Sequence, residues 1–309
     1  MKKILLSITT VFILSSAVAQ KSSSDLNRAI RPVPGPPPTI KLGDIKSFEL
    51  ANGLKVFVVE NDKNPTVAYS IALNIHPALE GEAAGTAAIT SDLITSGTKN
   101  RTKDQLDNDI DFIGARLSAT TSGIYAFALS KQNKKLIELL SDVILNADFK
   151  QEELDKLKKQ TLSQLAQEKD NPDAISKNVQ AVLNFGADHP YGELTTEETV
   201  DKITLEKCNN YFKTYFRPNV AYLAVVGDVK FSEIKSLVEK YLGSWQRTDV
   251  PDFIPAMPKA PEKTRVAFVN KPGAVQSVIN ITYPVDLKPN SDDVIKSSIT
   301  ENSLDAVSD

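Results

Sequence analysis

The chain has 309 residues and a formal net charge of −3. That length allows one large domain or two ordinary ones around a real hydrophobic core, and the lack of a basic excess excludes the phosphate-neutralising surface that nucleic acid demands. A single cysteine, Cys208, excludes an intramolecular disulfide and a cysteine-built zinc site, and reads as a small buried apolar residue in a helix.

The first residues read as a cleavable secretory signal. Lys2 and Lys3 give a positive start, residues 4–14 an apolar stretch, and Ala17-Val18-Ala19 a small-residue cleavage site, so residues 1–19 are expected to leave and the mature chain to be periplasmic or secreted. The apolar stretch is too short for a bilayer, and no later run approaches the roughly 20 apolar residues of a membrane span. Residues 20–42 are Ser-rich and then Pro-rich, an extended arm that serves as a spacer or as a ligand for a proline-reading domain.

A first lobe is expected over residues 43–247. Phe48, Leu50, Leu54, Val56 and Val58 alternate around Asn52-Gly53, which predicts a hairpin with a type I′ turn. Val67, Tyr69, Ile71, Leu73 and Ile75 predict a second alternating strand. A helix follows Gly85, and residues 117–130 read as two strands meeting near Ser122-Gly123. Leu154, Leu157, Leu162 and Leu165 recur at helical spacing behind Asp148, a candidate cap, and Pro172 ends that helix and starts another. A strand at 220–227 and a helix at 232–242 complete a mixed unit. The class is α+β, a mainly antiparallel sheet with helices packed on one face.

Beyond a Pro-rich linker at 248–263, residues 265–270 and 275–283 read as two strands of an incomplete second lobe, and residues 291–309 as a polar tail. Two strands cannot bury a core of their own.

Several of these stretches resemble the insulinase-like (M16) metallopeptidases. ANGLKVFVVEN at 51–61 resembles the family's opening hairpin, KDNPDAISKN at 169–178 its Asp-Asn-Pro turn, and HPYGELTTEETVDKIT at 189–204 a further common stretch. YFRPNVAYLAVVGDV at 215–229 is similar to the strand closing the first lobe, and NKPGAVQSVI at 270–279 to the start of the second. GTAAITSDLITSGTKNRT at 85–102 resembles the segment that carries the family's inverted zinc motif, His-x-x-Glu-His. That resemblance places Ala88 and Asp92 at the two histidines, Ser91 at the catalytic glutamate, and Gln164 at the third ligand, with Ser163 next if the register slips by one.

The chemistry of a zinc peptidase is missing at those positions. Such a site needs about three nitrogen, sulfur or carboxylate ligands and a base for the bound water. Ala88 has no donor, Asp92 one carboxylate, Gln164 a weak neutral oxygen, and Ser91 is no base near neutral pH. The two histidines, His76 and His189, sit before prolines in loops, and a new site built from them with Glu80 is the remaining metal reading. No metal or other cofactor is expected.

The resemblance implies a non-catalytic accessory subunit that pairs with a homologous zinc-bearing M16 subunit and helps bind extended peptides. Leu117, Ser118, Ala119, Thr120, Thr121 and Ser122 match the family's edge strand, which adds a peptide as a further strand, although the same residues also suit an ordinary internal strand. The alternative is a structural or binding module, or a truncated remnant, with no peptidase partner. A zinc peptidase with unrecognised ligands is the third reading. The resemblance fades after about Asp293, so a C-terminally truncated second lobe with exposed apolar surface is expected.

Overall fold

The computed structural model describes residues 35–36, 44–251, 253–283, 285–288 and 290–305. The signal segment and nearly all of the Pro-rich arm lie outside the described residues. Every element belongs to one compact unit that begins at Gly43.

Six strands form its sheet: β1 (Lys46–Glu49), β2 (Lys55–Glu60), β3 (Thr66–Leu73), β4 (Arg116–Thr120), β5 (Gly123–Leu129) and β6 (Ala221–Gly227). Their order is β1-β2-β6-β3-β5-β4, antiparallel throughout except for the parallel β2–β6 pair. The period-2 alternation of the sequence becomes a two-faced sheet. Val58, Val225, Tyr69, Ala126 and Leu117 stand side by side across β2, β6, β3, β5 and β4, the first four of them buried. The neighbouring row, Phe57, Ala224, Ser70, Tyr125 and Ser118, faces the other way and is exposed or half-buried.

Helices cover the buried face. They are α1 (Thr86–Ile94), α2 (Lys103–Phe112), α3 (Asn133–Leu145), α4 (Gln151–Glu168), α5 (Pro172–Phe185), α6 (Glu197–Asp201), α7 (Leu205–Tyr215), α8 (Phe231–Leu242) and α9 (Asp292–Asp305). α3 supplies the most core, with Leu136, Ile137, Leu139, Leu140 and Val143 all fully buried. Truncating one such side chain costs about 2–5 kcal/mol. Thr102 caps α2 through a reciprocal bond pair with Gln105, and Asn171 caps α5 ahead of Pro172.

The hairpin expected at Asn52-Gly53 forms, but not with a type I′ turn. Only Gly53 has a positive φ, 89°, and the connection runs from Leu50 to Leu54 with Leu50 N–H bonded to Leu54 O at 3.0 Å. The Asn52 side chain is drawn elsewhere: its amide donates to Leu242 O and Trp245 O at 2.9 and 3.1 Å, and its Oδ1 accepts the Leu54 N–H. Asp148 does not cap α4; it pairs with Lys150, and the helix starts at Gln151 without a side-chain cap.

The largest departure lies after residue 250. Residues 265–270 and 275–283 form no strand; they run across α5. Arg265 donates to Leu183 O at 2.8 Å, Asn280 to Ser176 Oγ at 2.6 Å, and Thr282 to Asn184 at 3.0 Å. These polar residues bond α5 from exposed positions, while Val266, Phe268, Val275, Ile279 and Ile281 point to solvent. The expected polar tail contains a helix, α9.

Candidate functional site

α1 begins at Gly85, whose φ of 102° and contact with Thr195 leave no room for a Cβ. The Glu80 carboxylate accepts the Gly85 N–H at 2.6 Å and the Ala87 N–H at 2.9 Å, and so satisfies donors that a helix start leaves open. Glu193 does the same for the preceding turn, accepting from Glu80 and Gly81 N–H at 2.9 and 2.6 Å. Burial, and then the neighbouring Glu193 charge, raise the Glu80 carboxyl above its usual range against the pull of those N–H bonds. Sequence reasoning weighed Glu80 as a metal ligand and missed its capping role.

A cavity of about 430 Å³ opens at this corner. Ala88 of α1, Thr121 and Ser122 of the β4–β5 turn, Tyr191, Tyr211 and Glu80 line it. It brings the expected peptide edge to the expected metal corner, because α1 packs against β4 as well as α4 and α7. Ser91, Asp92 and Gln164 do not line it.

Each degenerate position has an ordinary role. Ala88 and Asp92 share the exposed face of α1, one turn apart, and partial burial raises the Asp92 carboxyl. Ser91 is buried and donates to Ala87 O at 2.8 Å. Gln164 is exposed on α4 and donates to Glu168 at 2.9 Å. This donor set does not fit zinc: one carboxylate and one amide oxygen cannot hold the ion.

The histidine alternative fares no better. His189 Nδ1 accepts the Tyr191 N–H at 3.1 Å and Nε2 lies 3.0 Å from Ala256 O, and the imidazole forms a three-ring cluster with Phe185 and Tyr191. Both carboxylate oxygens of Glu80 already accept backbone N–H groups. Among the described residues, no three His, Cys, Asp or Glu side chains converge as a metal site.

β4 is a terminal strand of the sheet, paired with β5 from Arg116↔Phe127 to Thr120↔Gly123. Leu117, Ser118, Ala119 and Thr120 belong to it, while Thr121 and Ser122 form the turn into β5. Among the described residues β4 therefore pairs with β5 alone. Beneath α1, Cys208 of α7 is fully buried and its thiol is pushed up by that burial.

The insulinase (peptidase family M16) model matches residues 56–187, and the peptidase M16 inactive domain model matches residues 202–302. The chain belongs to peptidase family M16. Two curated relatives are similar to it over about two thirds of its length. One is an uncharacterized zinc protease of Rickettsia felis, 28% identical over 217 residues that are 67% of this chain and 52% of the relative. The other is the human cytochrome b-c1 complex subunit 1, mitochondrial, 26% identical over 215 residues, 67% of this chain and 44% of that protein. The peptidase M16 inactive domain from Pseudomonas fluorescens shares the fold with a TM-score of 0.63 at 18% identity, over 71% of this chain and 54% of that one. The chain spans about half the length of the curated relatives it matches.

Proposed function

We propose that this M16 protein is a non-catalytic, peptide-binding accessory subunit, secreted or periplasmic, that works beside a zinc-bearing M16 homologue. The observation that carries the reading is the pairing of a ligand-poor α1 with an intact edge strand. Ala88, Ser91, Asp92 and Gln164 supply neither the ligands nor the base of a peptidase, whereas β4 still ends the sheet next to α1. Strand addition uses backbone groups, so it survives the loss of every catalytic side chain.

A specific relative favours a second reading. Cytochrome b-c1 complex subunit 1 is by its name a subunit of a complex not named for peptidase activity, which suits a structural module without a peptidase partner.

Affinity capture of the chain from its native host, with mass spectrometry of what comes with it, separates the two. The accessory reading expects an M16 homologue with an intact His-x-x-Glu-His and chelator-sensitive peptidase activity in the eluate. Capture of a stable assembly with no such homologue and no peptidase activity favours the structural module and overturns the accessory one.

A further inference from the structure

We infer that Asn52 is a modification site: its side-chain amide is hydrolysed to a carboxylate once the β1–β2 hairpin parts from the end of α8, and the native fold holds that reaction off until then.

The chemistry starts from the sequence. Asn52-Gly53 is the one Asn-Gly pair in the chain. Glycine has no side chain to hinder its own backbone nitrogen, so that nitrogen can reach the carbonyl carbon of the preceding asparagine side chain. The Gly53 nitrogen gives up its proton and bonds to Asn52 Cγ, the Cγ–Nδ2 bond breaks, and ammonia leaves. Water then opens the resulting succinimide ring at either carbonyl, giving an aspartate or an isoaspartate. Water is the sole co-reactant, and no oxidation state changes.

The fold restrains both partners of the ring closure. The half-buried Asn52 amide donates to Leu242 O at 2.9 Å, to Trp245 O at 3.1 Å and to Gly243 O at 3.5 Å, while its Oδ1 accepts the Leu54 N–H at 3.2 Å. The attacking nitrogen is committed as well, since the Gly53 N–H bonds Leu50 O at 2.9 Å. Gly53 is buried, and a Cβ on it would stand 3.2 Å from Asn219 Cα, so the turn has little room to swing. These contacts must loosen together before the ring can close, and the rate is then set by how often the hairpin leaves α8.

The product cannot restore the contact. Leu242 O and Gly243 O lie at the C-terminal end of α8, where a helix leaves carbonyl oxygens open and carries the negative end of its dipole. An amide donates to those oxygens; a carboxylate has no N–H to give and is repelled by them. A molecule that stays open long enough to react therefore loses the clasp between the hairpin and α8 for good.

The test holds the full chain in mildly alkaline buffer, with and without denaturing urea, and follows the Asn52 peptide by mass spectrometry. Conversion in buffer is expected to be slower than in urea by about tenfold or more. Asn52→Gln, which forms the corresponding ring far less readily, should abolish the mass change in urea. Asn52→Asp, the product made directly, should unfold at lower urea than the parent. Equal conversion in buffer and in urea, a mass change that survives Asn52→Gln, or an Asn52→Asp chain as stable as the parent overturns the inference.

Discussion

The Glu80 carboxylate accepts the Ala87 N–H at 2.9 Å, so the start of α1 is held by a glutamate cap. The cap reaches α1 from outside the helix, and it does so from a partly buried position.

Glu80→Ala should therefore cost about 1–2 kcal/mol, the range for losing a helix cap that leaves donors open. Urea unfolding followed by circular dichroism measures it. Because the folded Glu80 carboxyl is raised, it binds its proton more tightly folded than unfolded, and its own contribution grows more favourable as pH falls through that raised value. Glu80→Gln should flatten that part of the stability–pH curve. An unchanged curve would contradict the assignment.

A second carboxylate has the opposite sign. Asp142 is buried in α3 and accepts from Thr98, Asn100, Asn146 and Arg101, tying the segment after α1 to the core. Burial works against its charge, but those hydrogen bonds prevail and hold the carboxyl below its usual range. Its stabilisation is full above the ordinary aspartate value and is lost as pH falls through the depressed folded one, below about pH 4. Asp142→Asn should cost about 3 kcal/mol at neutral pH and remove that acid limb, as read by denaturation at several pH values.

Metal binding gives a gain-of-function test. The protein as it stands should carry no stoichiometric zinc after purification in zinc-containing buffer. Ala88→His, Asp92→His and Gln164→Glu together restore three ligands, and since α1 and α4 pack together, the triple variant should bind zinc in isothermal titration calorimetry. Zinc in the parent chain, or none in the triple variant, would count against the placement of these residues.

The stretch across α5 makes a surface prediction. Val266, Phe268, Val275, Ile279 and Ile281 are all strongly exposed, and exposed apolar side chains that cluster favour association. The purified chain should bind a hydrophobic dye and self-associate at micromolar concentration, and Phe268→Ser with Ile281→Ser should reduce both. Monodisperse protein without dye binding would refute this.

What the sequence disclosed and what it hid divide along the range of the forces involved. The alternation of β2 and β3, the Ser122-Gly123 turn and the start of α5 at Asn171-Pro172 depend on neighbours in the chain, and all were legible. The turn at Asn52-Gly53 was misjudged in type because the Asn52 amide bonds carbonyls of Leu242 and Trp245, about 190 residues away. Residues 265–283 have a strand's alternation, but they pair with no strand, and polar contacts with α5 and with Asp170 ahead of it hold them instead. At the site, the side chains at Ala88, Ser91, Asp92 and Gln164 could be read for their donor chemistry from residue types alone. The double cap by Glu80 and Glu193 was not, since it joins a loop to another more than a hundred residues on.

The most direct measurement is a peptidase assay in which a zinc-bearing M16 homologue from the same host is measured with and without this chain. This chain alone should cleave nothing, and adding it should raise the homologue's chelator-sensitive cleavage of extended peptides. Chelator-sensitive cleavage by this chain alone, or an unchanged rate on mixing, would contradict it.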